Sequence, residues 1–179
     1  TISGHEDTPT PILLPAIDVD GDPLQYQVVT TPTNGQLTQE ENTANLIYTP
    51  NVNYNGNDSF TFKVNDGELD SQTEIVSITI SPVNDAPVAE TQTISSSEDL
   101  AVNVTMTGTD VDQDSLTYEL IIQPNYGQLS GSVPNLVYTP NPNFYGDDSL
   151  TFQVNDGQSD SQFAEVIFNI TQQNDIPVV

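Results

Sequence analysis

Apolar residues recur at every second position along most of this chain. Leu24-Gln-Tyr26-Gln-Val28, Phe60-Thr-Phe62-Lys-Val64 and Val76-Ser-Ile78-Thr-Ile80 alternate apolar with polar, and Val166-Ile-Phe168-Asn-Ile170 does so with one lapse. A period of two places alternate side chains on one face of a half-buried strand. Between the runs lie Asp20-Gly21-Asp22-Pro23, Asn34-Gly35, Asn55-Gly56 and Asp66-Gly67, residues that favour tight turns. No run shows the period of an amphipathic helix. The pattern predicts about seven short strands in each half of the chain. In the first half they fall near 1–5, 11–17, 24–30, 36–39, 45–49, 59–64 and 73–81. Seven such strands in roughly ninety residues predict an all-β fold, a Greek-key β-sandwich of immunoglobulin-like type.

The halves are copies of one another. Glu6-Asp7 returns as Glu98-Asp99, Asp18-Val-Asp20-Gly-Asp22 as Asp110-Val-Asp112-Gln-Asp114, and Gly35-Gln-Leu37 as Gly127-Gln-Leu129. These pairs share one offset, 92. Tyr48-Thr-Pro50 then returns as Tyr138-Thr-Pro140, Asp58-Ser59 as Asp148-Ser149 and Val64-Asn-Asp66-Gly67 as Val154-Asn-Asp156-Gly157, at an offset of 90. The two extra residues of the first copy fall in the Gln39–Asn45 loop, where a fixed scaffold tolerates a change of length. Val83-Asn84-Asp85-Ala86-Pro87 closes the first copy, and Gln173-Asn174-Asp175-Ile176-Pro177 closes the second. The predicted organisation is a first domain over 1–83 with a truncated first strand, a linker over 84–87, and a second domain over 88–179 that ends in the next linker. Thr1 aligns with Thr93, so the chain reads as a fragment of a longer array, without an initiator Met or signal peptide.

An odd number of antiparallel strands carries the chain in at one end of a sandwich and out at the other. Glu6-Asp7, Thr31–Gly35, Asn51–Asp58 and Asn84-Asp85 then share the exit end of the first domain. Asp110, Asp112, Asp114, Asp156 and Asp160 share the leading end of the second. The linker is expected to lie between two groups of acids.

Charge gives that expectation its chemistry. The chain has 26 acidic residues against a single cation, Lys63, and a formal charge of −25. Nucleic acid and anionic membrane need cationic patches and are excluded as partners. No apolar run of 18 residues offers a membrane span, and there is no cysteine for a disulfide or a thiolate site. Disorder, the usual reading of an acidic chain, conflicts with 35 % apolar residues set in alternating runs. Clustered carboxylates repel one another, and a hard divalent cation relieves the repulsion. Calcium takes six to eight oxygens with tolerant geometry. Magnesium demands a tighter octahedron, and transition metals want imidazole or thiolate, of which only His5 is present. An EF-hand needs Gly at the sixth loop position and Glu at the twelfth. Here those positions are Pro23 and Val29, then Ser115 and Ile121, so the loop is not an EF-hand.

Asn84-Asp-Ala-Pro87 resembles the linker of cadherins, and Gly108-Thr-Asp110-Val-Asp112 resembles their acidic inter-strand loop. Val154-Asn-Asp156-Gly157 is similar to the aspartate at the end of their sixth strand. The whole unit, with Asp-x-Asp-x-Asp-x-Leu-x-Tyr, Tyr-Thr-Pro and Asn-Asp-x-Pro, is similar to the cadherin-like tandem repeats of large bacterial surface (RTX-type) adhesins. The resemblance implies calcium ligands at the central joint: Glu6 with Asp7 and Asp58 below, Asn84 and Asp85 in the linker, and Asp110, Asp112 and Asp156 above. It implies an incomplete N-terminal site at Asp18, Asp20 and Asp66, and an incomplete C-terminal site at Glu98, Asp148, Asn174 and Asp175. The linker is shorter than that of cadherins, and the exit motif is Asn57-Asp58 where they have two acids, which favours two ions over three. Asp22, Asp114, Asp70 and Asp160 are read as turn caps and left out of the ligand set.

The implied protein is a non-enzymatic, calcium-rigidified extender of an extracellular, cell-surface adhesin, whose partners are the adjacent repeats of its own chain. The alternative is a module that binds polysaccharide with calcium, or another adhesin copy. Carbohydrate recognition wants aromatic platforms; the chain has no Trp, which leaves Tyr54, Tyr126 and Tyr145. Paired acids also serve glycoside hydrolysis, but duplication of every acid in both copies points to scaffolding. Lys63 alternates out of phase with the core residues beside it and aligns with Gln153, so it reads as solvent-facing rather than as half of an isopeptide bond. His5 aligns with Ser97 and reads as a loop residue.

Overall fold

The computed structural model describes residues 1–176, and its contacts divide the chain into two units, the first over Thr1–Val83 and the second from Asn84 onward. The first unit contains β1 (Ile2–His5), β2 (Thr10–Leu13), β3 (Gln25–Thr30), β4 (Gly35–Gln39), β5 (Asn45–Pro50), β6 (Gly56–Asn65) and β7 (Glu74–Ser81). They form two sheets, ordered β1-β7-β6-β3 and β2-β5-β4. β1 runs parallel to β7, and the remaining pairs are antiparallel. Among the described residues no element is helical.

The alternation explains the sheets. On β6, Asp58, Phe60, Phe62 and Val64 face inward while Asn57, Ser59, Thr61 and Lys63 face away. Ile12, Leu14, Leu46, Tyr48, Phe60, Phe62, Val64, Ile78 and Ile80 meet between the sheets as the core. Burying each large side chain contributes roughly 1.5–3 kcal/mol.

The second unit repeats this plan over β8 (Val88–Glu90), β9 (Gln92–Ser97), β10 (Val102–Thr105), β11 (Thr107–Thr109), β12 (Thr117–Ile122), β13 (Gly127–Ser132), β14 (Asn135–Pro140), β15 (Gly146–Asn155) and β16 (Ala164–Thr171). Its sheets are β9-β16-β15-β12 and β10-β14-β13, with β8 and β11 pairing separately. The seven strand positions hold, but the first two are each broken in two. The first strand changes partner at Thr91: β8 pairs antiparallel with β11, and β9 pairs parallel with β16. The second breaks at Met106, whose amide donates to the Pro134 carbonyl.

In the first unit the expected strand over 11–17 ends at Leu13, and Leu14–Asp18 is irregular. β11 exists because β8 supplies its partner, whereas no described strand pairs with the equivalent Pro15-Ala16-Ile17. Pro15 also lacks the N–H a ladder requires.

Candidate metal centre

The leading end of the second unit gathers its acids by backbone geometry. Asp110 follows β11, and its Oδ1 accepts the Asp114 N–H at 3.1 Å, which curls the loop. The curl needs a left-handed residue: Gln113 takes φ 65°, where the first copy has Gly21 at φ 85°. Carboxylate oxygens of Asp110, Asp112 and Asp114 then lie within 4.8 Å of one another.

The linker residues close over this group. The Asp85 N–H donates to Asp112 Oδ2 at 2.9 Å. Asn84 Nδ2 donates to Asp156 Oδ2 at 2.9 Å and to Ser159 Oγ at 3.3 Å, while Gln158 Nε2 donates to Asn84 Oδ1 at 2.7 Å. Asp156 follows β15, and its Oδ1 accepts the N–H groups of Gln158 and Ser159, each at 2.6 Å. The Ser159 amide first, then Asn84 and Gln158, hold its carboxyl below the usual carboxylate range. Asn84, Asp85, Asp110, Asp112 and Asp156 therefore belong to one unit. Asp114, left out of the ligand set, is a full member of the carboxylate group, and the regular Asp-x-Asp-x-Asp spacing is the signal for it.

One atom tests whether these residues fit a cation. Asp110 Oδ2 is buried and has no hydrogen-bond donor. A buried acceptor without a donor is costly, and more so on a carboxylate beside two others. Calcium, a hard cation that takes carboxylate and amide oxygens, matches this donor set.

At the exit end of the first unit, Glu6 is 2 % exposed. Its Oε1 accepts the Val83 N–H at 2.7 Å, and Asn55 Nδ2 reaches its Oε2 at 3.5 Å. Asp7, at φ 56°, accepts the Asn53 N–H and is exposed. The second unit repeats both contacts: Glu98 Oε1 accepts the Gln173 N–H, and Asp99 accepts that of Asn143.

Asp58 and Asp148 do not fit the ligand role that the resemblance implies. Asp58 Oδ1 accepts the N–H groups of Thr33 and Ser59, and Oδ2 accepts Asn34 N–H and the Tyr48 hydroxyl, all at 2.8–3.1 Å. Burial alone would raise its pKa. The amides of Thr33, Asn34 and Ser59, with Tyr48, outweigh that and leave it below the usual range. Asp148 accepts the equivalent four donors, from Asn125, Tyr126, Ser149 and Tyr138. Two oxygens offer about four lone-pair sites, and all are engaged. These aspartates instead tie the turn before β4 or β13 to the core tyrosine. Burial and the facing carboxylate push both tyrosine hydroxyls up.

At the first unit's leading end, Asp18 Oδ1 accepts the N–H groups of Asp20 and Asp22. Asp66 Oδ1 accepts those of Leu69 and Glu68, which hold its carboxyl low. Among the described residues the only carboxylate group gathered at metal-ligand distance is that of the second unit. Asn174 Nδ2 donates to the Asp175 carbonyl as Asn84 does to Asp85, and both C-terminal residues are exposed. Asp70 accepts from Lys63 Nζ at 2.6 Å and from Asn65, and Lys63 holds its pKa down. Asn155 donates to Asp160 in the same way. Lys63 is thus half of a surface ion pair, as its outward phase implies.

Two sandwiches with a parallel pairing of first and last strands and acids at the strand ends define a tandem immunoglobulin-like repeat protein. The bacterial Ig domain family matches residues 1–79 and again 84–169, and the chain belongs to that family. No curated protein matches it. Among solved structures it is similar to human CDH23 EC21-23 (TM-score 0.57, 15 % identity, 95 % of this chain and 71 % of that one). It is also similar to human mucin-like protocadherin EC1-2 (TM-score 0.49, 19 % identity, 96 % and 95 %). An endo-fucoidan hydrolase of glycoside hydrolase family 107 matches at TM-score 0.42 and 25 % identity, over 97 % of this chain. The chain spans only 27 % of that hydrolase's length.

Proposed function

We propose that the chain is a calcium-stiffened spacer: two non-enzymatic repeats of an extracellular, cell-surface adhesin. The observation that carries this is Asp110 Oδ2, a buried acceptor without a donor inside a three-carboxylate group onto which Asn84 and Asp85 are clipped. Calcium supplies the missing positive charge, and the residues of this chain do the rest. Asp110, Asp112 and Asp114 hold the ion, Asp156 orients Asn84, and the Asp85 amide fixes the linker to Asp112. Glu6 fixes Val83, the residue before the linker, to the first unit. In this reading Glu6 and Asp7 share in the ions, which makes the linker rigid, and Asp18, Asp20, Asp66, Glu98, Asn174 and Asp175 bind where a further repeat adjoins.

Binding a hundredfold above Kd stabilises a fold by about 2.7 kcal/mol per site, a large amount for a domain this size. Hydrogen bonds hold the carboxyls of Asp58, Asp66, Asp70 and Asp156 below the usual carboxylate range. A general acid for glycoside cleavage needs a raised pKa, so these four carboxylates do not suit that role.

Calorimetric calcium titration of the parent chain and of Asp112→Asn, with small-angle scattering in calcium and in chelator, tests the proposal. It expects lost uptake in the variant and a longer, stiffer particle in calcium. Unchanged scattering and no calcium heat would overturn it.

A second reading rests on Tyr126, which stacks on Phe144 with ring centroids 4.6 Å apart and stays 50 % exposed, leaving one ring face open. Tyr145, next along, is exposed too. An open aromatic face suits a polysaccharide. A glycan array in calcium showing a specific hit, abolished by Tyr126→Ala, would favour this module over the spacer.

A further inference from the structure

One pair of equivalent positions carries a different charge in the two units. In the first, Gln27 on β3 lies opposite Lys63 on β6. Asn65 Nδ2 donates to Asp70 Oδ1 at 2.9 Å, and Lys63 Nζ donates to Asp70 Oδ2 at 2.6 Å. Lys63 is the chain's only Lys or Arg, and its ammonium offsets the Asp70 charge. The second unit keeps the frame. Asn155 Nδ2 donates to Asp160 Oδ1 at 2.8 Å, and Asn155 pairs with Asp160 across an isolated β-bridge, as Asn65 does with Asp70. What the frame holds has changed: Gln153 stands in place of Lys63, and Glu119, opposite it on β12, in place of Gln27. The Gln153 side chain turns to its own hairpin, where Nε2 donates to the Ser161 carbonyl at 2.8 Å. Thr117, Tyr118, Glu119, Gln153, Asn155 and Asp160 line a cavity of about 70 Å³ there.

We propose that this cavity seats a primary ammonium supplied from outside the chain, with Asp160 and Glu119 as its acceptors. The ammonium is the head of a partner protein's lysine or of a free alkyl diamine. Asp70 shows what the frame does: clipped by an asparagine at one oxygen, the carboxylate presents the other to an ammonium. Asp160 is clipped by Asn155 in the same way. The replacements then move charge in one direction. One acid and one ammonium become two acids, so an arriving cation meets two attractive charges rather than a neutral pair. Size selects the cation. A water occupies about 30 Å³ of liquid, so the cavity takes an ammonium and the end of its alkyl stem, while a guanidinium is a wider planar fork. Calcium wants six to eight oxygens, more than two carboxylates offer. An ammonium has three donors, which Asp160, Glu119 and the Thr117 hydroxyl satisfy. Lys63 is already held by Asp70, so the chain does not fill this seat itself. Its charge of −25 draws cationic partners to the whole surface, and the pair of acids at the cavity gives them one place to dock.

Nuclear magnetic resonance titration of the full chain in millimolar calcium, with Nα-acetyl-lysine methylamide and separately with cadaverine, tests this. Saturable shifts are expected at Glu119, Gln153 and the Asn155 side-chain amide, in the millimolar range because exposed ion pairs are individually weak. The ε-acetylated lysine derivative, which lacks the charge, should leave these signals in place. Glu119→Gln and Asp160→Asn, both isosteric and at exposed positions, should each weaken binding about fivefold. Gln153→Lys should rebuild the first unit's ion pair and abolish uptake. Lys63→Gln should open a weaker seat in the first unit, where Asp70 has Gln27 beside it rather than a second acid. Tighter binding of the lysine derivative marks a protein as the source of the ammonium; tighter binding of cadaverine marks a free amine. Shifts spread evenly over the acidic surface, an equal response to the ε-acetylated derivative, or Gln153→Lys binding as the parent does would overturn the seat. Calcium that displaces the amine would overturn ammonium as its occupant. The proposal stands apart from the calcium reading, whose ligands do not include Glu119 or Asp160. Amine uptake without calcium heat would sink the spacer's metal and leave the seat standing; calcium uptake without saturable amine shifts would do the reverse.

Discussion

Replacing Asp58 by Asn separates a structural carboxylate from a metal ligand. The native carboxylate accepts three backbone amides and the Tyr48 hydroxyl. Asn keeps one acceptor oxygen, which serves Thr33 and Ser59. Its Nδ2 then faces Asn34 N–H and Tyr48. The hydroxyl rotates to accept, but the Asn34 amide meets another donor and is orphaned. An orphaned buried donor costs about 1–3 kcal/mol, and the remaining bonds lose charge assistance worth about 1 kcal/mol each. Because such terms are not additive, we take about 3 kcal/mol as the expected loss. At roughly 4–8 °C per kcal/mol for a domain of this size, the first unit should melt about 12–24 °C lower. The assay is thermal unfolding by circular dichroism, in calcium and again in chelator, with Asp148→Asn to assign the second unit's transition. Tyr48→Phe should cost about 1–2 kcal/mol at the same site. The drop should be equal in both buffers. A loss seen only in calcium would restore Asp58 as a ligand, and an unchanged melting temperature would refute the donor count. The sign with pH is also fixed. The folded pKa of Asp58 lies below its ordinary value of 3.8. Its contribution is therefore complete above that value and fades as pH falls through the folded pKa, and Asp58→Asn should remove that part of the acid sensitivity.

Three further outcomes follow from other contacts. Asp110→Asn should abolish the tightest calcium site by calorimetry, yet leave the chelated protein equally or more stable, since it relieves repulsion among three carboxylates. Glu6→Ala should lower the first unit's stability by about 1–3 kcal/mol in urea, because it orphans the Val83 amide. Glu6→Gln, which keeps an acceptor there, should be far milder. Gly127→Ala should destabilise the second unit by roughly 1–3 kcal/mol in the same assay. A Cβ there runs into the Tyr138 ring, which Asp148 holds in place.

The strands were legible because alternation is a local signal: six of the seven ranges expected in the first copy overlie observed strands with ends shifted by a few residues. The repeat also marked Asp110, Asp112 and Asp156, since the acidic loop, the Asn-Asp linker and Asp156 each recur, but it set Asp114 aside as a turn cap, and the structure brings Asp114 into the carboxylate group. What the pattern could not distinguish is a carboxylate that faces solvent or metal from one already saturated by amides. Asp58 and Asp112 look alike in sequence. They differ in that Thr33, Asn34 and Ser59 aim three N–H groups at one of them, and that depends on where a turn lies in space. The break between β8 and β9 was illegible for a related reason. Strand propensity marks residues as extended but does not say which of two sheets they join.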